Sequence, residues 1–197
     1  MRPLGRDAKK IGRPKVEIKF MEINGKKIVL KNAKYFEGHD GPGLNADLFW
    51  GTEQIAFVVD LANGGEIEVR PINGYNNPSF IQIEKWVKEQ DPIKEKSGGQ
   101  EWEYAYTFEN LINLLAEDLE IERAKKSVQK KMRRFLMFGT ILEYRQIQWK
   151  SQTFEEIILN MPHLIREKCK DAALKGETLL NTNVPEDLRE GCAVYQF

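Results

Sequence analysis

A histidine and an aspartate stand side by side in a glycine-rich hexapeptide, Gly38-His39-Asp40-Gly41-Pro42-Gly43. His39 is the side-chain type that titrates nearest neutrality, so it could act as a general base with Asp40 holding its ring. The amides of such a loop could instead hold a phosphate. Two facts weigh against both. Side chains of adjacent residues diverge, and the loop lacks the Gly-Lys-Ser/Thr ending of a P-loop. A second polar loop, Asp60-Leu61-Ala62-Asn63-Gly64-Gly65, offers Asp60 and Asn63. A working site needs these two beside His39 at one end of a sheet. The plainer reading is two connecting loops, since Asp, Asn and Gly are the residues that turn a chain. No Gly-x-Ser-x-Gly, His-Glu-x-x-His, Walker or dinucleotide fingerprint occurs, so no recognised enzyme class is supported. The two cysteines, Cys169 and Cys192, and the two histidines, His39 and His163, lie too far apart for the usual zinc spacing. Neither metal nor cofactor is expected.

Cations form the second candidate. The chain is neutral overall, with 30 basic and 30 acidic residues in 197, but the charges are segregated. Residues 1–34 carry eleven bases against three acids, 84–122 eleven acids against four lysines, and 123–134 seven bases and no acid. Such asymmetry marks a surface for an anionic partner, or segments that neutralise one another within a fold or dimer. Lys125, Lys126, Lys130, Lys131, Arg133 and Arg134 are therefore candidate nucleic-acid ligands. Arg13 and Lys15 join them, because Gly12-Arg13-Pro14-Lys15 has the Gly-Arg-Pro core of a minor-groove hook. Ile11 stands where that hook has a second arginine. A sequence pI near 6.8 argues against a dedicated nucleic-acid binder.

Aromatic residues form the third. Trp50, Trp86, Trp102, Trp149, Tyr104 and Tyr106 could stack on bases, but strand and helix aromatics more often fill cores or anchor interfaces. Trp102, Tyr104 and Tyr106 lie in an acidic stretch, which favours a protein partner there.

The elements that must position these residues follow from pattern. Residues 1–14, rich in Pro, Gly and charge, read as a basic arm. Residues 15–90 read as an antiparallel meander with a packed helix. Alternation over 15–23, then Asn24-Gly25, predicts a hairpin to 26–36. Further strands are expected at 44–50, 54–60 and 66–72, and a helix at about 78–90. Residues 91–106 hold Pro92 and Gly98-Gly99 and read as a flexible linker. Thr107 caps the longest helix, whose apolar face runs Leu111, Leu114, Leu115, Leu119, Val128, Met132 and Phe135. A hairpin around Gly139-Thr140 and a helix capped by Thr153 complete a helix-hairpin-helix region over 107–181. Pro162 either kinks that helix or starts another, and His163 reads as a surface or capping residue. Residues 182–197 read as a loop-like tail. The fold class expected is α+β.

Leu44-Asn45-Ala46-Asp47-Leu48-Phe49-Trp50-Gly51 followed by Asp60-Leu61-Ala62-Asn63-Gly64-Gly65 resembles a group of uncharacterised bacterial and bacteriophage proteins. In these an Ala-Asp-Leu-Tyr strand precedes an Asp/Asn-Gly-Gly hairpin, then a charged helix and a short hairpin. The resemblance covers about residues 16–150. This chain departs from it at Phe49-Trp50 and at Leu61-Ala62. No activity comes with the resemblance, which implies only a phage or mobile-element gene.

The leading expectation is a non-enzymatic binding protein, phage-encoded, that docks a host protein or protein–nucleic acid complex. One alternative is an enzyme or ligand binder for a nucleotide-like anion at the His39, Asp60 and Asn63 loops. Another is direct DNA or RNA binding through the arm and Lys125–Arg134. Self-association stays open. No run of 18 apolar residues occurs and the N-terminus lacks the apolar stretch of a secretory signal, so the expected location is the cytoplasm, with no membrane partner.

Overall fold

The computed structural model describes residues 21–197. The basic arm with Arg13, and Lys15 with the start of the first expected strand, lie outside the described residues. The protein is α+β and divides into two compact units, Met1–Ala105 and Tyr106–Phe197.

The first unit holds a five-stranded antiparallel sheet whose strands neighbour one another in chain order. They are β1 (Glu22–Ile23), β2 (Lys26–Glu37), β3 (Pro42–Trp50), β4 (Glu53–Asp60) and β5 (Glu68–Pro71). Asn24 and Gly25 both take positive φ, 52° and 72°, and pair Ile23 with Lys26 across the turn. Both residue types tolerate that geometry, which is why this dipeptide makes the tightest hairpin. One face of the sheet is apolar and buried: Ile28, Leu30 and Ala33 on β2, Leu44, Ala46, Leu48 and Trp50 on β3, Ala56 and Val58 on β4. Trp50 is therefore a core residue, its indole N–H donating to the Ile23 carbonyl at 2.9 Å. Helix α1 (Pro78–Lys88) buries Phe80, Ile83 and Val87. Asn77 caps it, accepting from the Ser79 and Phe80 amides while donating to the Ile72 carbonyl.

A bulge in β2 sets what the other face presents. Lys31 pairs with Asp47 and Lys34 with Asn45, so three steps along β2 match two along β3. Asn32 supplies the bend with φ 53°, and its amide donates to Asp47 Oδ2 at 2.6 Å. In an unbroken strand side chains alternate, so Lys34 would lie opposite to Lys31. The extra residue puts Ala33 into the core and both lysines on the open face.

Residues 91–106 differ from the expected linker. Ile93–Ser97 (β6) and Gln100–Tyr104 (β7) form a two-stranded ribbon, turned by Gly98 and Gly99 at φ 60° and 82°. The glycines expected to loosen this segment instead form its turn. Ile93, Glu95, Trp102 and Tyr104 share one side; Lys94, Lys96, Glu101 and Glu103 share the other. On that charged side Lys94 faces Glu103 and Lys96 faces Glu101. These cross-strand pairs, with the Tyr104 hydroxyl on Glu95, hold a ribbon with no core of its own.

The second unit opens with α2 (Phe108–Lys131), capped reciprocally by Thr107 and Asn110. Its buried residues are Leu111, Ile112, Leu115 and Val128, whereas Leu114 is exposed. A hairpin, β8 (Leu136–Gly139) and β9 (Tyr144–Ile147), precedes α3 (Phe154–Asn160) and α4 (Pro162–Leu174). Pro162 starts a new helix, its missing N–H falling where no helical partner is needed. Trp149 stacks on Phe154 at 6.4 Å between ring centroids. The last residues are not a loose tail. Val184, Leu188 and Cys192 are buried with Leu136, Phe138, Phe154, Ile157, Ile165 and Cys169. Leu179 bridges Phe138 on one side and Val194 on the other. Short apolar residues separated by polar ones have no helical or strand period, so pattern alone misses this packing. Asn181, fully buried, joins three segments: it accepts from the Met137 amide and donates to the Met132 and Phe135 carbonyls. Among the described residues no helix is long and apolar enough to cross a membrane.

Candidate functional site

The two polar loops meet. The Asp40 amide donates to the Ala62 carbonyl at 2.8 Å, tying the β2–β3 turn to the β4–β5 connection. Gly38 allows the approach: a Cβ there would lie 2.4 Å from the Ala62 Cβ. The polar atoms of the second loop mainly build the loop itself. Asp60 Oδ1 accepts from the Ala62 amide at 2.8 Å, and Asn63 Oδ1 from the Gly65 amide at 3.1 Å. These are Asx turns, the ordinary local use of such residues. His39 Nδ1 is 3.4 Å from Asp40 Oδ1, but its side chain is 90% exposed. The cluster brings together residues that acid–base chemistry would need, without a wall to exclude water from His39.

The cations of α2 and the turn after it fall into two groups. Lys125 is paired with Glu122, Lys131 donates to the Tyr144 hydroxyl at 2.7 Å, and Arg134 lies over the Phe135 ring. Lys126, Lys130 and Arg133 are exposed and carry no such interaction among the described residues. Spacings of four and three place them on one flank, spanning roughly 10 Å at 1.5 Å per residue. With Gln129 they line an open groove of about 480 Å³, which no acid among the described residues lines. Cations near a helix C-terminus also suit its dipole, which accounts for part of their placing. The dipole does nothing to draw an anion there, so the side chains alone must supply the attraction.

The ribbon presents its aromatic side to solvent. Trp102 is 56% exposed and Tyr104 41%. The hydrogen bond to Glu95 holds the Tyr104 phenol above its ordinary pKa. Tyr106 is half-buried, and that burial pushes its phenol up. It lies beyond the end of the ribbon, at the start of the second unit.

Sequence reasoning missed a fourth place. Asn32, Lys34, Asn45, Asp47, Phe57, Val59 and Arg70 line a shallow depression of about 400 Å³ on the open face of the sheet. Phe57 is 48% exposed at its floor. Strand alternation carried the signal, because Asn45, Asp47, Phe57 and Val59 all oppose the buried positions. The bulge that brings Lys34 to them had no signature beyond Asn32.

Among the described residues no group of three or more His, Cys, Asp or Glu side chains could hold a metal ion. Cys169 and Cys192 are both buried and unpaired by disulfide, and burial pushes the Cys169 thiol up to about 12. In comparisons with known protein families, curated proteins and solved structures, nothing matches the chain.

Proposed function

We propose that this protein is a non-enzymatic binding protein that takes a polyanion, nucleic acid alone or within a protein complex, on the α2 flank of its second unit. One observation carries the reading. Lys126, Lys130 and Arg133 stand on one flank without acidic partners among the described residues, while the neighbouring Lys125 and Lys131 are engaged. Three free cations in register attract phosphates and release their counterions, so binding weakens as salt rises. The exposed, water-open setting of His39 favours binding over catalysis. The resemblance to bacterial and phage proteins directs the proposal to a host complex.

The test is a duplex-oligonucleotide titration across a salt series with the full chain. If three phosphates are neutralised, log K falls with a slope of about −2.7 against log salt, at about 0.9 per phosphate. K126E/K130E/R133E should lose duplex binding, and K125E/K131E should lose less. Equal binding by the first variant and the wild type, or no binding at low salt, ends the proposal.

A protein-docking reading is favoured by Trp102, since an exposed tryptophan on an ordered ribbon is an interface anchor in waiting. A partner held by this side would be lost with Trp102→Ala and kept by K126E/K130E/R133E.

A further inference from the structure

We infer that the open face of the five-stranded sheet binds single-stranded nucleic acid, with one base stacked on Phe57. The inference stands on residues of the first unit and does not rest on the α2 flank.

The register lays the site out. Lys31 opposes Asp47, Asp47 opposes Phe57, and Phe57 opposes Arg70, one residue from each of four neighbouring strands. Lys34, Asn45 and Val59 form the next row. At about 4.8 Å between strands, Lys31 and Arg70 stand about 14 Å apart, with Phe57 between them. The ring is open to solvent, whereas its neighbour Phe49 is covered by the Lys31 ammonium at 4.1 Å. Phe57 thus presents exposed aromatic surface to a ligand.

The bulge is the second observation. A strand without it would turn Lys34 toward the core. The extra residue, held in the left-handed region at Asn32 and fastened to Asp47, puts Lys34 beside Lys31 on the ligand side. Bulges commonly re-aim a side chain in this way beside binding sites. Lys34 has no acidic partner among the described residues. Of the acids nearest Phe57, Asp47 accepts from the Asn32 amide at 2.6 Å and Glu68 is paired with Arg70 at 2.6 Å.

Three chemistries therefore meet: a flat apolar ring, amide and carboxylate groups at Asn45 and Asp47, and the Lys34 ammonium, with Arg70, paired to Glu68, at the far margin. An unpaired nucleotide matches all three. Its base stacks on the ring and offers hydrogen-bonding edges, and its phosphates meet the cations. A duplex hides its base faces, and an acidic peptide has no use for Asp47.

The test measures anisotropy of a fluorescein-labelled twelve-residue oligodeoxycytidine, and of its duplex, with the full chain at low salt. The single strand should bind tighter than the duplex. Phe57→Ala should weaken it at least tenfold and Phe57→Trp should retain it, with unchanged circular dichroism because the ring is exposed. The tenfold dependence on Phe57 should persist in the K126E/K130E/R133E background, which separates this site from the α2 flank. Amide shifts in the wild type should include Lys34, Asn45 and Arg70. The inference is overturned if Phe57→Ala binds like the wild type, if the triple variant shows no single-strand binding, or if the duplex or poly-glutamate competes equally well.

Discussion

The side-chain carbonyl of Asn181 accepts the Met137 amide proton at 2.7 Å, across 44 residues of sequence. Its amide nitrogen faces the other way, toward the Met132 and Phe135 carbonyls at 3.1 and 2.9 Å. One buried side chain thus satisfies the end of α2, the turn after it and the start of β8.

Asn181→Ala should destabilise the protein by about 2–4 kcal/mol in urea unfolding, since it leaves several buried backbone groups without partners. Asn181→Asp should cost more, because it puts a carboxylate against two carbonyl oxygens. A loss below about 0.5 kcal/mol for the alanine variant would show that water or rearrangement replaces the network.

The cysteines should be inert until the fold opens. With the Cys169 thiol raised to about 12 by burial, its thiolate fraction at pH 8 is roughly 10³-fold below that of a free cysteine. Thiol titration should therefore report two groups in urea and almost none without it. The same shift links stability to alkaline pH. The folded value lies above the unfolded value of about 9, so the contribution is complete below pH 9 and declines as pH rises toward 12. Cys192, also raised by burial, acts in the same direction. Unchanged stability between pH 8.5 and 11 would contradict this.

Arg145 grips Glu177 through both Nε and Nη2, joining β9 to the segment after α4. Its hydrogen bonds hold the Glu177 carboxyl below the usual range. A depressed carboxyl contributes above its unfolded value of about 4.5 and ceases to do so as pH falls through the folded value. Both groups are partly solvent-exposed, so the pair should be worth only about 1 kcal/mol. Urea midpoints of Glu177→Gln and wild type should differ at pH 7 and converge as the pH falls through the folded carboxyl's titration. A constant gap would assign the effect to packing.

The loop clasp predicts an asymmetry between neighbours. Gly38→Ala drives a methyl into Ala62 and should cost about 1–3 kcal/mol. His39→Ala changes an exposed side chain and should stay within about 0.5 kcal/mol. Equal losses, read from thermal and urea unfolding together, would mean that His39 packs in the clasp.

Local chemistry was readable because its causes are local. Asn24-Gly25 is a hairpin on its own terms, since the two residues that best tolerate positive φ sit where a type I′ turn needs them. Thr107, Thr153 and Pro162 begin helices by satisfying or lacking their own nearby N–H groups. The alternation of β3 assigned its buried and open faces, and the run of cations after Glu122 placed a basic flank on one helix.

Other features were decided only when distant segments met. That Lys131 is engaged while Lys130 is free depends on Tyr144 of the later hairpin reaching back to it. The ribbon over 93–104 exists because paired strands align Lys94 with Glu103 and Lys96 with Glu101, a register invisible in a single stretch. The last sixteen residues have no period of their own, yet they fill the core of the second unit. Asn181 reads as a loop residue until the carbonyls of Met132 and Phe135 surround it. Lys34 reached the open face through one bulge, and Phe57 became a floor only when four strands lined up. Turns and caps follow from bonds within a few residues, whereas burial, pairing and the freedom of a charge belong to neighbours that only the folded chain supplies.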